Sequence, residues 1–74
     1  MYKYQQIANE LHKKGLFTSL SFEQLTLGIE TLLTYDFKQP PSKVLQTLLN
    51  SSNLKPIHIY NLITSIAADI YIQT

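Results

Sequence analysis

The sequence predicts an all-α fold, a small four-helix bundle that forms a single domain over residues 1–74. Three observations predict it. Apolar residues recur at helical spacing in four segments. Stretches rich in Gly, Pro, Ser and Asn separate these segments. The strand-favouring isoleucines and tyrosines near the end of the chain repeat every 3.6 residues, with no Gly or Asn-Gly turn between them. We place the helices at about residues 2–14, 22–35, 41–50 and 54–72.

The first predicted helix has a clear apolar face and a recognisable C-terminal signal. In the first, Tyr4, Ile7, Ala8 and Leu11 have the i, i+3, i+4, i+7 spacing of one helical face, and Gly15 follows where a C-terminal cap is expected.

The second predicted helix opens with a capping box, in which Ser21 is followed three residues later by Gln24. Leu27 falls on the polar side of this helix and is out of pattern. Gly28 is unfavourable inside a helix, so it predicts a close contact with another helix.

Proline and asparagine residues mark the starts of the last two predicted helices. Pro41 fits the first turn of the third helix, because proline lacks the amide that a helix interior requires. Ser52 or Asn53 can cap the fourth helix. Residues 56–72 contain eleven apolar residues, more than one face can hold. This surplus predicts either a central core helix or a face reserved for another chain.

Composition excludes several classes of protein. The chain has no cysteine, which rules out disulfides and thiolate metal sites. All six basic residues are lysines and the net charge is +1, so nucleic-acid binding is disfavoured. No run reaches the roughly 18 apolar residues of a membrane span, and the first residues lack the pattern of a signal peptide. We therefore expect a cytoplasmic protein.

No set of residues predicts catalysis. His58, Ser65 and Asp69 share a helical face, but His58 and Asp69 lie about 16 Å apart along the axis, too far for a catalytic triad. His12 and His58 lack the spacing of metal ligands, and we expect both on the surface. The hypothesis is accordingly a protein that is not an enzyme, with no cofactor, metal or small-molecule substrate.

DNA binding is one alternative function. Residues 4–11, Tyr-Gln-Gln-Ile-Ala-Asn-Glu-Leu, resemble the opening helix of GntR-type winged-helix repressors, and that resemblance implies a small bacterial transcriptional regulator. The likeness covers eight residues and lacks the recognition helix and wing that follow in that family. In a helix–turn–helix arrangement, residues 56–69 would be the recognition helix, but its exposed positions include Asp69 and no lysine.

A second resemblance concerns the order of the helices. The four predicted helices, with Pro-Ser-Lys-Val-Leu-Gln-Thr-Leu-Leu-Asn at residues 41–50, resemble the small bacteriocin immunity proteins of Gram-positive bacteria. The resemblance implies a bacteriocin-immunity-like helical bundle as a second alternative. Members of that family are longer and more charged than this chain.

The surplus apolar residues lead to the favoured hypothesis, a protein that binds another protein. The main apolar face of the fourth helix, which we expect to be core, holds Ile59, Tyr60, Leu62, Ile63, Ile66, Ala67, Ile70 and Tyr71. Ile57, Ala68 and Ile72 lie opposite this face, near Asn61, and Leu27 is a similar outlier on the second helix. We predict these five residues as a partner-binding site of a small bacterial or phage regulator or inhibitor, which binds a foreign protein or forms a homodimer. In the alternative, Ile57 and Ile72 only cover the ends of the core.

Overall fold

Four α-helices form the bundle that the periodicity predicts. The computed structural model describes the backbone of residues 2–73 and the side chains of residues 3–72. Its elements are α1 (Tyr2–Lys13), α2 (Phe22–Leu33), α3 (Lys43–Ser52) and α4 (Pro56–Gln73), and residues 2–73 contain no β-strand. The all-α prediction is confirmed. Met1 and Thr74, which the predicted domain includes, lie outside the described residues.

Helix α1 ends in a Schellman motif centred on Gly15. The Gly15 N–H donates to the His12 carbonyl at 3.0 Å, and the Leu16 N–H donates to the Leu11 carbonyl at 2.9 Å. Gly15 has a φ of 77°, which costs glycine nothing and explains why this residue stands here. The next loop residues turn inward, and Phe17 is buried with a φ of 56°.

Helix α2 begins with the predicted capping box. The Ser21 hydroxyl accepts from the Gln24 N–H at 3.2 Å, and the Gln24 side chain accepts from the Ser21 N–H at 3.1 Å. The helix ends at Leu33, two residues before the predicted end, because Thr34 already has non-helical cap geometry.

Helix α3 begins two residues later than predicted. Ser42 is its N-cap, with extended φ and ψ of −69° and 165°, and its hydroxyl accepts from the Leu45 N–H at 3.2 Å. Pro41 therefore precedes the cap, and the prediction that it lies in the first turn is wrong. The serine cap decides the position of the helix start because it satisfies an amide that would otherwise lack a partner.

The junction between α3 and α4 also differs from the prediction. Asn53 adopts the left-handed conformation, with a φ of 58°, and is the C-cap of α3 rather than the N-cap of α4. The Ser52 hydroxyl donates to the Leu49 carbonyl and accepts from the Leu54 N–H, so Ser52 belongs to the end of α3. Helix α4 then starts at Pro56.

Helix α2, not α4, is the central helix of the bundle. It contacts each of the other three helices, whereas α4 packs mainly against α1 and α2. Gly28 of α2 is buried against Leu48 of α3, which confirms the predicted close helix contact. The largest fully buried side chains come from all four helices: Ile7, Leu11, Leu25, Ile29, Leu32, Leu45, Leu48, Ile59 and Ile63. The radius of gyration of 11.3 Å equals the value of about 11 Å expected for a compact domain of this length.

Candidate protein-interaction surface

All five residues predicted to bind a partner are exposed. The exposed fractions are 49% for Leu27, 54% for Ile57 and 82% for Ile72. Asn61 and Ala68 are exposed as well. We call the four that lie on α4 (Ile57, Asn61, Ala68 and Ile72) the outer face of α4. Exposure makes this face available to a partner and does not by itself identify one.

The outer face of α4 is one stripe on a single helix. At about 100° per residue, its four residues fall within an arc of about 60°. Ile59 and Ile66 project from the opposite side of the helix and are buried in the core. Packing of that opposite side against α1 and α2 therefore turns the outer face of α4 away from the bundle.

A groove adjoins the outer face of α4. Its volume is about 410 Å³, and it lies where α1 begins, where α2 ends and along the second half of α4. The residues that line it are Tyr4, Leu33, Thr64, Ala67, Ala68 and Tyr71. We call it the α1–α2–α4 groove. Ala68 belongs both to this groove and to the outer face of α4, and Ile72 follows it by one helical turn. The two surfaces are therefore continuous.

Tyr71 is the residue of this region whose position the sequence predicts wrongly. It belongs to the broad apolar face predicted as core, but it is 44% exposed. Tyr71 lies at the edge of that face and lines the groove where α1 begins and α2 ends, so the bundle covers only part of its ring. The Lys3 Nζ atom lies 4.5 Å from the ring centroid, within the range of a cation–π contact.

Charged side chains are missing from this combined surface. The described side chains that form the outer face of α4 and the α1–α2–α4 groove include no Lys, Asp or Glu. Depletion of charge with enrichment of tyrosine is the composition found at the centre of protein–protein interfaces. The nearby lysine Lys3 covers one face of Tyr71 and so contributes to the edge of the surface.

Leu27 lies apart from the other four predicted residues. It lines a separate depression of about 200 Å³ between α1 and α2. The other residues of this depression are Gln5, Phe22, Glu23, Thr26 and Glu30. Two of these residues carry carboxylates, so the surroundings of Leu27 are acidic. The four residues on α4 therefore lie on one uncharged stripe, whereas Leu27 lies on a separate surface with acidic neighbours.

An aromatic cluster near the start of α4 is absent from the sequence prediction. The Phe37 ring lies 4.8 Å from Tyr35 and 5.6 Å from Tyr60, between centroids, and both pairs are edge-to-face. The Tyr35 hydroxyl donates to the Gln39 carbonyl. Phe37 remains 48% exposed. Tyr60 follows Ile57 by three residues, so the cluster lies beside the first residue of the outer face of α4.

His12 is not the surface histidine that we predict from its position. It is half-buried, and its Nε2 atom is buried without a hydrogen-bond partner. Its ring packs edge-to-face on Phe22 with centroids 6.4 Å apart. His58 is exposed, as predicted. Within the part of the chain that the structure describes, no three His, Asp or Glu side chains come together as a metal site would require.

Comparisons with known proteins provide no relative from which a function for these surfaces could be inferred. No protein-family model, curated protein or solved structure matches the chain. The resemblances to GntR-type repressors and to bacteriocin immunity proteins therefore rest only on the residues that carry them. Across residues 2–73, none of the helices combines the length and the hydropathy of a membrane span.

Proposed function

We propose that this protein is a non-catalytic binding protein that contacts another protein chain through the outer face of α4 and the α1–α2–α4 groove. The observation that supports the proposal is the continuous surface that the two form at Ala68, with the Lys3 ammonium only at its edge. In this proposal the chain is a small regulator or inhibitor, of bacterial or phage origin, that acts by occupying the surface of its partner.

The free energy of binding in this proposal comes from burial of the two isoleucines and from contacts in the groove. Complete burial of an exposed isoleucine contributes about 1.5–3 kcal/mol. Ile72 is 82% exposed and Ile57 is 54% exposed, so both have most of this free energy left to gain on binding. The groove beside them has aromatic walls, Tyr4 and Tyr71, next to the small side chains of Ala67 and Ala68. Rigid tyrosines around a concave apolar site are typical of the residues that dominate binding energy.

The test is site-specific photo-crosslinking in the native host. We would place a photoreactive phenylalanine analogue at Ile72 in one variant and at Gln46 in another. Gln46 is exposed on α3 and belongs to neither surface, which makes it the matched control. We expect a discrete protein adduct from position 72 and none from position 46.

A charge variant makes the crosslinking test specific for the groove. Ala68→Glu, combined with the crosslinker at position 72, should remove the adduct because it places a carboxylate in the apolar groove. The proposal is wrong if position 72 gives no adduct, or if positions 72 and 46 give the same adducts. The mass of the adduct shows whether the captured chain is a second copy or a different protein.

A further inference from the structure

The depression around Leu27, which we call the α1–α2 depression, is lined by Gln5, Phe22, Glu23, Thr26, Leu27 and Glu30. We infer that it is a second protein-binding surface and that it takes a basic helical segment of a foreign protein. In that segment, two Lys or Arg residues seven positions apart flank one apolar residue. The inference goes beyond the proposed function, because the α1–α2 depression shares no lining residue with the α1–α2–α4 groove and lies on other helices than the outer face of α4.

Two large apolar side chains of the α1–α2 depression are exposed. The exposed fraction is 49% for Leu27 and 41% for Phe22. Edge-to-face packing on His12, with ring centroids 6.4 Å apart, supports the Phe22 ring from the side of α1. The Thr26 hydroxyl already donates to the Phe22 carbonyl at 2.8 Å, so its burial leaves no donor without an acceptor. An apolar side chain of a partner therefore binds here without leaving the Thr26 donor unpaired.

Two carboxylates flank Leu27 along α2. Glu23 precedes Leu27 by four residues and Glu30 follows it by three, and all three fall within an arc of about 60° at 100° per residue. Glu23 and Glu30 are thus about 10 Å apart along the helix axis. Within the described part of the chain, neither carboxylate forms an ion pair and no lysine lines the α1–α2 depression. Both carboxylates are therefore available to the cations of a partner.

The sign of this charge decides which class of partner fits. Glu23 and Glu30 repel the phosphates of nucleic acids and anionic lipids, whereas they attract Lys and Arg side chains. Among the side chains that the structure describes, no group of three His, Asp or Glu is placed to hold a metal ion. The volume of about 200 Å³ is below the roughly 300–1,000 Å³ of small-molecule pockets, so it suits one side chain of a partner protein.

The spacing of the flanking carboxylates matches a helix. A partner helix that lies along α2 presents positions i, i+3 or i+4, and i+7 on one side, with the axial separations of Glu23, Leu27 and Glu30. An apolar residue between two cations therefore meets Leu27 while the cations meet the carboxylates. A second copy of this protein lacks such a segment, because no two of its basic residues are seven apart: Lys3, Lys13, Lys14, Lys38, Lys43 and Lys55. The occupant is accordingly a foreign chain.

The first experiment uses two synthetic alanine-rich helical peptides of about 16 residues, a length at which an isolated helix can form. One peptide has two lysines seven positions apart with a leucine between them, and the other has glutamates in place of both lysines. Each is added to the isotope-labelled full chain, and amide shifts are followed by NMR. We expect saturable shifts in residues 22–30 with the lysine peptide and about tenfold weaker binding of the glutamate peptide. Equal affinities, or no saturable shift in residues 22–30, overturn the inference.

The second experiment reverses the charge of the α1–α2 depression. A chain with Glu23→Lys and Glu30→Lys should prefer the glutamate peptide by about tenfold, a reversal that a merely structural role of these residues would not produce. The matched control is Asp36→Lys with Asp69→Lys, which changes the net charge equally at exposed positions outside the depression and should keep the preference for lysine. An unchanged preference in the charge-reversed chain overturns the inference. If that chain fails to fold, Glu23→Gln with Glu30→Gln should abolish the preference.

The third experiment places a photoreactive phenylalanine analogue at Leu27 in the native host and sequences the crosslinked segment by mass spectrometry. We expect a foreign chain whose crosslinked segment carries two Lys or Arg residues seven positions apart. No adduct, or a segment without this basic pair, overturns the inference. The proposed function is judged separately, by the adducts from position 72, so either proposal can fail while the other stands.

Discussion

Gly28 of α2 lies so close to α3 that a Cβ atom at this position would be 3.3 Å from the Leu48 Cδ2 atom. Leu48 is fully buried, so its side chain has little room to move. A side chain at position 28 therefore requires Leu48 to shift by at least a few tenths of an ångström.

Gly28→Val should lower the free energy of unfolding by about 2 kcal/mol, because overpacking of a filled core costs about 1–3 kcal/mol and outweighs the small gain in helix propensity. Urea denaturation followed by circular dichroism measures the effect. Glu30→Val, at an exposed position of the same helix, is the control and should change stability by less than about 0.5 kcal/mol. Equal stability of the two variants would show that α3 can move away from α2.

Helix boundaries are predictable from this sequence where a side chain caps the backbone. Ser21 and Gln24 correctly predict the first residue of α2, because the capping box is a local arrangement that needs no tertiary contact. The start of α3 is ambiguous, since Pro41 and Ser42 are both good initiators, and the hydrogen bond of Ser42 decides it. Asn53 is likewise suited to either end of a helix, and only the observed left-handed backbone assigns it to the end of α3.

Burial of loop residues cannot be predicted from periodicity. Phe17 and Leu20 belong to the core, but they lie between helices, where no repeat pattern indicates an inward side. Phe37 is a similar case, because its contact with Tyr60 joins the α2–α3 loop to α4 across a long sequence separation. These contacts depend on how the helices pack, which the sequence pattern does not specify.

For the candidate site, the sequence predicts the direction in which the side chains project but not the groove that lies beside them. Helical angle alone predicts that Ile57, Ala68 and Ile72 project away from the core, and all three are exposed. The groove beside them depends on where α1 begins and α2 ends, and for that reason Tyr71 is misplaced by the angular argument. The identity of a partner depends on the surface of that partner, which the sequence of this chain does not specify.

Ser42→Ala should lower the free energy of unfolding by about 1 kcal/mol, because it removes the hydroxyl that accepts the Leu45 N–H at the start of α3. Thermal or urea unfolding checks the value. Ser19→Ala is the matched control, since Ser19 is exposed in the turn before α2, and we expect no more than a few tenths of a kcal/mol. A loss of the same size in both variants would mean that the Ser42 cap does not contribute.

His12→Phe should raise the free energy of unfolding by about 1 kcal/mol. The substitution removes a buried Nε2 atom that has no hydrogen-bond partner, and such an atom costs about 1–3 kcal/mol. It retains an aromatic ring against Phe22. His58→Phe makes the same chemical change at an exposed site and should leave stability nearly unchanged. A destabilised His12→Phe variant would indicate that the imidazole has a polar contact in solution.

Phe37→Ala should lower the free energy of unfolding by about 1–2 kcal/mol, because it removes two edge-to-face pairs that each contribute about 0.5–1.5 kcal/mol and because Phe37 is only half-buried. A double-mutant cycle with Tyr60→Ala isolates the contact between the loop and α4, and we expect a coupling energy of about 1 kcal/mol. Phe22→Ala provides the control, since Phe22 is similarly exposed and packs on His12 instead. Phe22→Ala should show no coupling to Tyr60→Ala. Strict additivity of Phe37→Ala and Tyr60→Ala would mean that the contact between the two rings does not stabilise the packing of the α2–α3 loop on α4.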